Sequence, residues 1–255
     1  MGRTGFFLRL CGVACIALLM SACSHNAYDT GDSRYSYLRT DFAEAYTDGN
    51  GALWSAITDD GDSLVFTSTL QRAWAAKPDS VYRALLYYNL QPADGVTPAS
   101  TASGVSSASG SSSASSPAAS STEPLRVEPV NAALVYVLTP HMGDDSLSLL
   151  RDPVVFQSAW QSSNKRYINL GLALMTGEPE SDGARQTIGM ICDTITTDGN
   201  GNRMIYLRFC HDQGGVPEYY KSTVYVSIPV SGLRAGDAVT VTIPTYDGPV
   251  VRVFR

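Results

Sequence analysis

RYINLGLALM, running from Arg166 to Met175, is the stretch whose pattern decides the architecture. Ile168, Leu170, Leu172 and Leu174 fall at every second position, and Tyr167, Asn169 and Gly171 fall between them. A period of two places the aliphatic set on one face of a β-strand and the other set on the opposite face. The aliphatic face is expected to line a core. The same texture continues on both sides of it. Val154 to Trp160, Thr187 to Thr196, Met204 to His211, Thr223 to Ile228, Ala238 to Ile243 and Val250 to Phe254 all read as strands. They are punctuated by a polar loop at Glu178 to Arg185 and by turns at Asp198-Gly199-Asn200-Gly201-Asn202 and Tyr246-Asp247-Gly248-Pro249. This run of short strands predicts a β-sandwich over residues 141–255.

Upstream, the chain reads as a second all-β unit over residues 34–140. Arg34 to Tyr46, Leu53 to Ile57 and Leu64 to Thr67 form a predicted meander, with turns at Asp48-Gly49-Asn50-Gly51 and Asp59-Asp60-Gly61-Asp62. Leu70 to Ala76 has helix-forming composition, but Lys77-Pro78-Asp79 limits it to a turn or two. Val81 to Leu90 fits either period. Its Tyr87-Tyr88 pair and the preceding turn favour a strand. Leu125 to Leu138 supplies the strand that completes a small closed barrel. Between these last two strands, residues 98–122 are nearly all Ser, Ala, Gly and Thr. Such a tract has too little apolar surface to offset its ordering entropy, so it is expected to be a disordered insertion within the barrel unit. Thr139 to Asp152, with Pro140, Gly143 and Asp144-Asp145, is the expected boundary.

The start of the chain specifies an address. Arg3 and Arg9 precede an apolar run from Leu10 to Met20, which has the form of a signal peptide and is too short to span a bilayer. Leu18-Leu19-Met20-Ser21-Ala22-Cys23 then reads as a lipobox. Residues 1–22 are the expected leader, with Cys23 diacylated and leading a mature chain tethered by the polar, turn-rich residues 23–33. The formal charge of −6 becomes more negative once Arg3 and Arg9 are removed. An acidic body without a basic face argues against nucleic-acid partners and leaves membrane attachment to the acyl chains.

The pairing of this lipoprotein start with a small β domain, and then with RYINLGLALMTG, MIYLRFCHDQGG and YKSTVYVSIPVSGL, resembles the NigD-like lipoproteins of gut and oral anaerobic bacteria. That resemblance implies an OB-type barrel followed by an immunoglobulin-like sandwich, with no catalytic residues. An immunity role against a bacteriocin is attached to that family only by association. Asp212 stands where the family usually has Asn. Cys210 and the Ser-rich tract are departures from its pattern.

Few motifs carry chemistry of their own. Cys11 and Cys15 leave with the leader and Cys23 takes lipid, so Cys192 and Cys210 remain. They are equidistant from Gly201, and a hairpin symmetric about that glycine would face them for a disulfide; the alternative is two buried free thiols. Ser63, Ser80, Ser146 and Thr194 each follow Asp and precede an aliphatic residue, a pattern compatible with O-glycosylation. His211 is expected to be a hydrogen-bonded strand-end residue, and the Asp clusters are expected to be turn chemistry rather than a calcium site. No nucleophile elbow, zinc signature or full calcium loop accompanies them. Trp54, Trp74, Tyr219 and Tyr220 are the candidate ligand platform, against packing as their commoner use. The expectation is a non-enzymatic lipoprotein of the cell envelope, held at the outer membrane. It needs no metal or cofactor and presents a binding surface to an envelope or external component. Glycan capture is the alternative, and immunity is a more distant one.

Overall fold

Residues 38–90, 123–143, 145–179 and 183–255 are described in a computed structural model. The lipobox at Cys23, the tether and the tract at 98–122 lie outside the described residues. Within the chain's larger unit, residues 39–255, all the sheets belong to one of two modules.

The first module is built from β1 (Leu38–Thr47), β2 (Leu53–Thr58), β3 (Ser63–Leu70), β4 (Val81–Leu90) and β5 (Leu125–Leu134). They close in the order β1-β2-β3-β5-β4, with β3 and β5 parallel. This is the OB-like barrel. Ala84, Leu86 and Tyr88 point inward at every second position, which settles β4 as a strand. A small barrel has room inside for a few large side chains only, and Ala43, Ala45, Ala56, Ala84 and Ala132 are buried among them. The expected helical turn is a 3-10 turn at Ala73–Ala75. Pro129, which lacks an N–H, sits where the β4–β5 register shifts.

The second module is a sandwich. One sheet has the order β14-β13-β11-β10-β7 and the other β6-β12-β9-β8. The expected strands are present as β8 (Val155–Gln161), β9 (Tyr167–Thr176), β10 (Thr187–Thr197), β11 (Arg203–Asp212), β12 (Tyr220–Pro229), β13 (Ala238–Ile243) and β14 (Val250–Phe254). Ile168, Leu170 and Leu172 are fully buried between the sheets with Phe209, Val226, Ile228 and Val241.

Asp48-Gly49-Asn50-Gly51 and Asp198-Gly199-Asn200-Gly201 are the same tetrapeptide and make the same turn, one in each module. In each, the Asp Oδ1 accepts from the backbone N–H groups two and four residues on, at 2.8–3.0 Å. Gly51 and Gly201 have φ of 75° and 85°, a region that residues with a Cβ rarely enter.

Three expectations are corrected. Leu125 to Leu138 is two strands: β5 ends at Leu134, and β6 (Tyr136–Val137) joins the sandwich by pairing parallel to β12. The chain therefore changes module at Val135, ahead of Thr139. Thr139 to Asp152 is also partly regular, with β7 (His141–Met142) parallel to β10 and a one-turn helix α1 (Asp145–Ser148). Leu147 of α1 lies on Gly189, where an added Cβ would stand 2.9 Å from its Cδ2. Finally, Cys192 and Cys210 do not face each other. The hairpin folds about Asn200, and a register shift follows Cys192, so that Cys192 pairs with Leu207 and Cys210 with Gly189. Cys192 packs in the sandwich core, whereas Cys210 shares the opposite face with Gly189. Both side chains are buried, and the two are not joined to each other.

Candidate binding site

The outer face of β9 carries the barrel. Arg83, on β4, has a side chain only 1% exposed and reaches Asp59 of the β2–β3 turn through two parallel bonds of 2.7 and 2.6 Å. Its Nε donates to Ser227 Oγ at 3.1 Å and its Nη2 to Asn169 Oδ1 at 3.3 Å, both across the junction. Its guanidinium lies 4.2 Å from the centroid of the Tyr167 ring. Phe42 of β1 makes edge-on contacts with Trp160 and Tyr225, at 5.2 and 5.4 Å. Glu44, also on β1, accepts from Tyr167 Oη and Arg166 Nη1, each at 2.7 Å. Burial, reinforced by the bond to Glu44, pushes the Tyr167 pKa up to about 12. Each nitrogen of the Arg83 fork has a partner, so the cluster is a joint and not an open site.

The open surface lies at the other end of β9, where the β11–β12 and β13–β14 connections meet the start of β8. A groove of about 570 Å³ is lined there by Val154, Phe156, Met175, Glu218, Lys221 and Tyr246, among others. Tyr246 Oη donates to Glu218 Oε2 at 2.8 Å, and burial followed by that bond raises the Tyr246 pKa to about 12. Tyr219 and Tyr220 stand beside Glu218 and are 73% and 59% exposed. Tyr219 and Pro217 lie directly on Gly177: a Cβ there would come within 2.7 Å of Tyr219 Cδ2 and 2.9 Å of Pro217 Cβ. The Tyr219 N–H also donates to Thr176 O at 3.0 Å. Three exposed tyrosines with Glu218, Lys221 and Asp247 offer flat apolar faces beside polar donors and acceptors. Such a surface suits recognition by stacking and hydrogen bonding.

The sequence-predicted platform is thus divided. Tyr219 and Tyr220 are exposed and lie in the chain between Glu218 and Lys221, which line the groove. Trp54 is 45% exposed on β2 of the barrel, whereas Trp74 is half-buried and packs edge-on against Tyr82 at 5.7 Å. Among the described residues, no ring contact joins either tryptophan to the tyrosines. Ser63, Ser146 and Thr194 are exposed, while Ser80 is half-buried and its hydroxyl donates to Pro78 O at 2.8 Å. Tyr246, Glu218 and Lys221 were not singled out from sequence. A tyrosine in the β13–β14 turn was the available signal, but only folding brings that turn beside Glu218. Asp59, taken as turn chemistry, proves to be the carboxylate of the joint.

No group of three or more His, Cys, Asp or Glu that could hold a metal occurs among the described residues. His211 is fully buried, and among the described residues neither ring nitrogen has a hydrogen-bond partner; its backbone carbonyl accepts from Asp152 N at 2.9 Å. The expected side-chain hydrogen bond is not found among the described residues. Burial lowers the imidazole pKa, partly opposed by the nearby backbone of Asp152 and Pro153.

No protein-family model and no curated relative matches the sequence. Solved structures do match. A NigD-like immunity protein from Bacteroides caccae is 18% identical with a TM-score of 0.56, over 84% of this chain and 91% of that one. A protein of unknown function from Bacteroides vulgatus is 14% identical with a TM-score of 0.55, over 85% and 90% of the two chains. A candidate lipoprotein from Bacteroides fragilis is 12% identical with a TM-score of 0.52, over 85% and 96%. The resemblance to the NigD-like proteins read from the sequence therefore holds at the level of the fold: this chain has the fold of the NigD-like immunity protein across most of both lengths.

Proposed function

We propose that this protein is a non-enzymatic, lipid-anchored component of a bacterial cell envelope that presents the tyrosine-rimmed groove of its sandwich to another envelope or external component. The observation that carries this reading is an open groove lined by Tyr246, Phe156, Glu218 and Lys221, with the exposed Tyr219 and Tyr220 lying in the chain between Glu218 and Lys221. The lipobox supplies the anchor, and a neighbour described as a candidate lipoprotein accords with it. Crosslinking in intact cells with a photoreactive residue at position 220, followed by identification of the partner, tests the reading. The crosslink should vanish in Tyr219→Ala/Tyr246→Ala. Persistence in that variant would place the contact elsewhere. Cys23→Ser should release the folded body from membranes, and continued retention would refute the anchor.

Glycan capture is the second reading. It is favoured by tyrosine faces lying next to Glu218, Lys221 and Asp247, the mixture of stacking and hydrogen bonding that sugars require. A glycan array hit in the absence of a protein crosslink would put this reading first. Immunity is named only for a structural neighbour, and a deletion strain with unchanged bacteriocin sensitivity would remove it.

A further inference from the structure

The two sides of the sandwich are finished differently. On one side the sheets are tied together by the bridge between Val154 and Thr245, and edge strand β8 carries a register shift between Phe156 and Ser158 that makes it a poor template. On the other side, β12 spans Tyr220–Pro229 and pairs with β9 along its whole length, but β6 covers it only at Val226 and Ser227. The outer edge of Tyr220 to Tyr225 is without a strand among the described residues.

The direction of each peptide group on this edge follows from two bonds. Ser227 O accepts from Leu138 N, on the β6 side, whereas Val230 N donates to Arg166 O, on the β9 side. Peptide groups alternate in direction along a strand. Those of Lys221, Thr223 and Tyr225 therefore face the open edge, and those of Ser222 and Val224 face β9. Beside this edge runs a cleft of about 510 Å³, walled by Leu85, Tyr87, Leu134 and Tyr136 on one side and by Thr223 and Tyr225 on the other. Lys221, two residues before Thr223 on the same strand, has no ion-pair partner among the described residues.

We propose that this edge takes an extended polypeptide segment of a partner protein, which continues the lane begun by β6. The segment would carry an apolar residue against Tyr225 and Leu134 and an acidic residue near Lys221. Unpaired peptide donors and acceptors in strand register are matched in full only by another strand, and the short β6 pairing already shows this lane accepting one. A peptide bound here would share Lys221 with the tyrosine groove, so Thr223→Pro and Tyr219→Ala are the variants that separate the two sites.

Short random peptides displayed on phage, selected against the full mature chain, supply the probe. Selected peptides should be enriched in an apolar-acidic pattern. Their binding should fall at least tenfold in Thr223→Pro, which removes one edge N–H that makes no internal bond, and persist in Tyr219→Ala. Thermal melting verifies that Thr223→Pro folds, and Lys221→Glu, which leaves the backbone intact, should also weaken binding. In hydrogen exchange, the amides of Lys221, Thr223 and Tyr225 should be fast in the free protein and protected in the complex, whereas Ser222 and Val224 should be slow in both. Failure to select any peptide, undiminished binding to folded Thr223→Pro, or protection of all five amides in the free protein would overturn the proposal.

Discussion

Arg83 of the barrel is clamped to Asp59 by two bonds of 2.7 and 2.6 Å while its guanidinium lies 4.2 Å from the ring centroid of Tyr167 in the sandwich. A single side chain thus ends one module and begins the contact surface of the other. Arg suits this place because its planar fork can bind a carboxylate edge-on and stack on an aromatic face together.

Arg83→Met should be strongly destabilising, since it leaves the Asp59 carboxylate, only 12% exposed, without its cation. The expected loss is about 3–5 kcal/mol. Asp59→Asn added to it should recover part of that loss. Urea unfolding followed by tryptophan fluorescence, with Trp160 at the joint, should show the single variant unfolding at lower denaturant. An unchanged midpoint would mean the joint does not hold the modules.

His211 should make the fold sensitive to mild acid. Its folded pKa lies below the ordinary value near 6.5 because burial disfavours the cation. Below about pH 6.5 the unfolded chain binds a proton that the folded chain refuses, so stability is full at neutral pH. It then falls by up to about 1.4 kcal/mol per pH unit until the folded pKa is reached. Melting at pH 7.5 and 5.5 should show this drop, and His211→Leu should flatten it; an equal drop in the variant would place the effect elsewhere.

The two cysteines should titrate as thiols. Under denaturing, non-reducing conditions both Cys192 and Cys210 should react, whereas in the native protein both should be slow, with Cys192 the faster of the two. Cys192 lines a small cleft with Met142 and Ile195 and is 7% exposed, while Cys210 is fully buried. Burial, then the neighbouring Asp193 charge, also raises the Cys192 pKa and limits its thiolate. A denatured count of zero thiols would contradict the register.

If the Asp-Ser/Thr sites are modified, Ser63, Ser146 and Thr194 should carry the mass and Ser80 should not. Ser80 is half-buried with its hydroxyl committed to Pro78 O, whereas the other three are exposed. Intact-mass analysis of Ser63→Ala, Ser80→Ala, Ser146→Ala and Thr194→Ala from native membranes would assign each increment. Loss of mass in Ser80→Ala would reverse the assignment.

Alternation alone determined much of this molecule. The spacing of Ile168, Leu170, Leu172 and Leu174 defined a strand and its core face, because a period of two is a local property of the extended chain. The same logic placed the other sandwich strands and the two Asp-Gly-Asn-Gly turns, where side-chain caps act within four residues. What local pattern could not supply was register and long-range pairing. A hairpin centred on Asn200 rather than Gly201, together with a shift of one residue after Cys192, separated two cysteines that symmetry about Gly201 would have joined. The division of Leu125 to Leu138 between two modules follows from what Tyr136 and Val137 meet across the junction, which is Val226 and Ser227. The partners of Arg83 come from positions 59, 169 and 227, and those of Tyr246 from position 218. Only the closing of the barrel and its docking on β9 bring such distant residues together, so the joint, the tyrosine groove and the open edge of β12 belong to the tertiary structure.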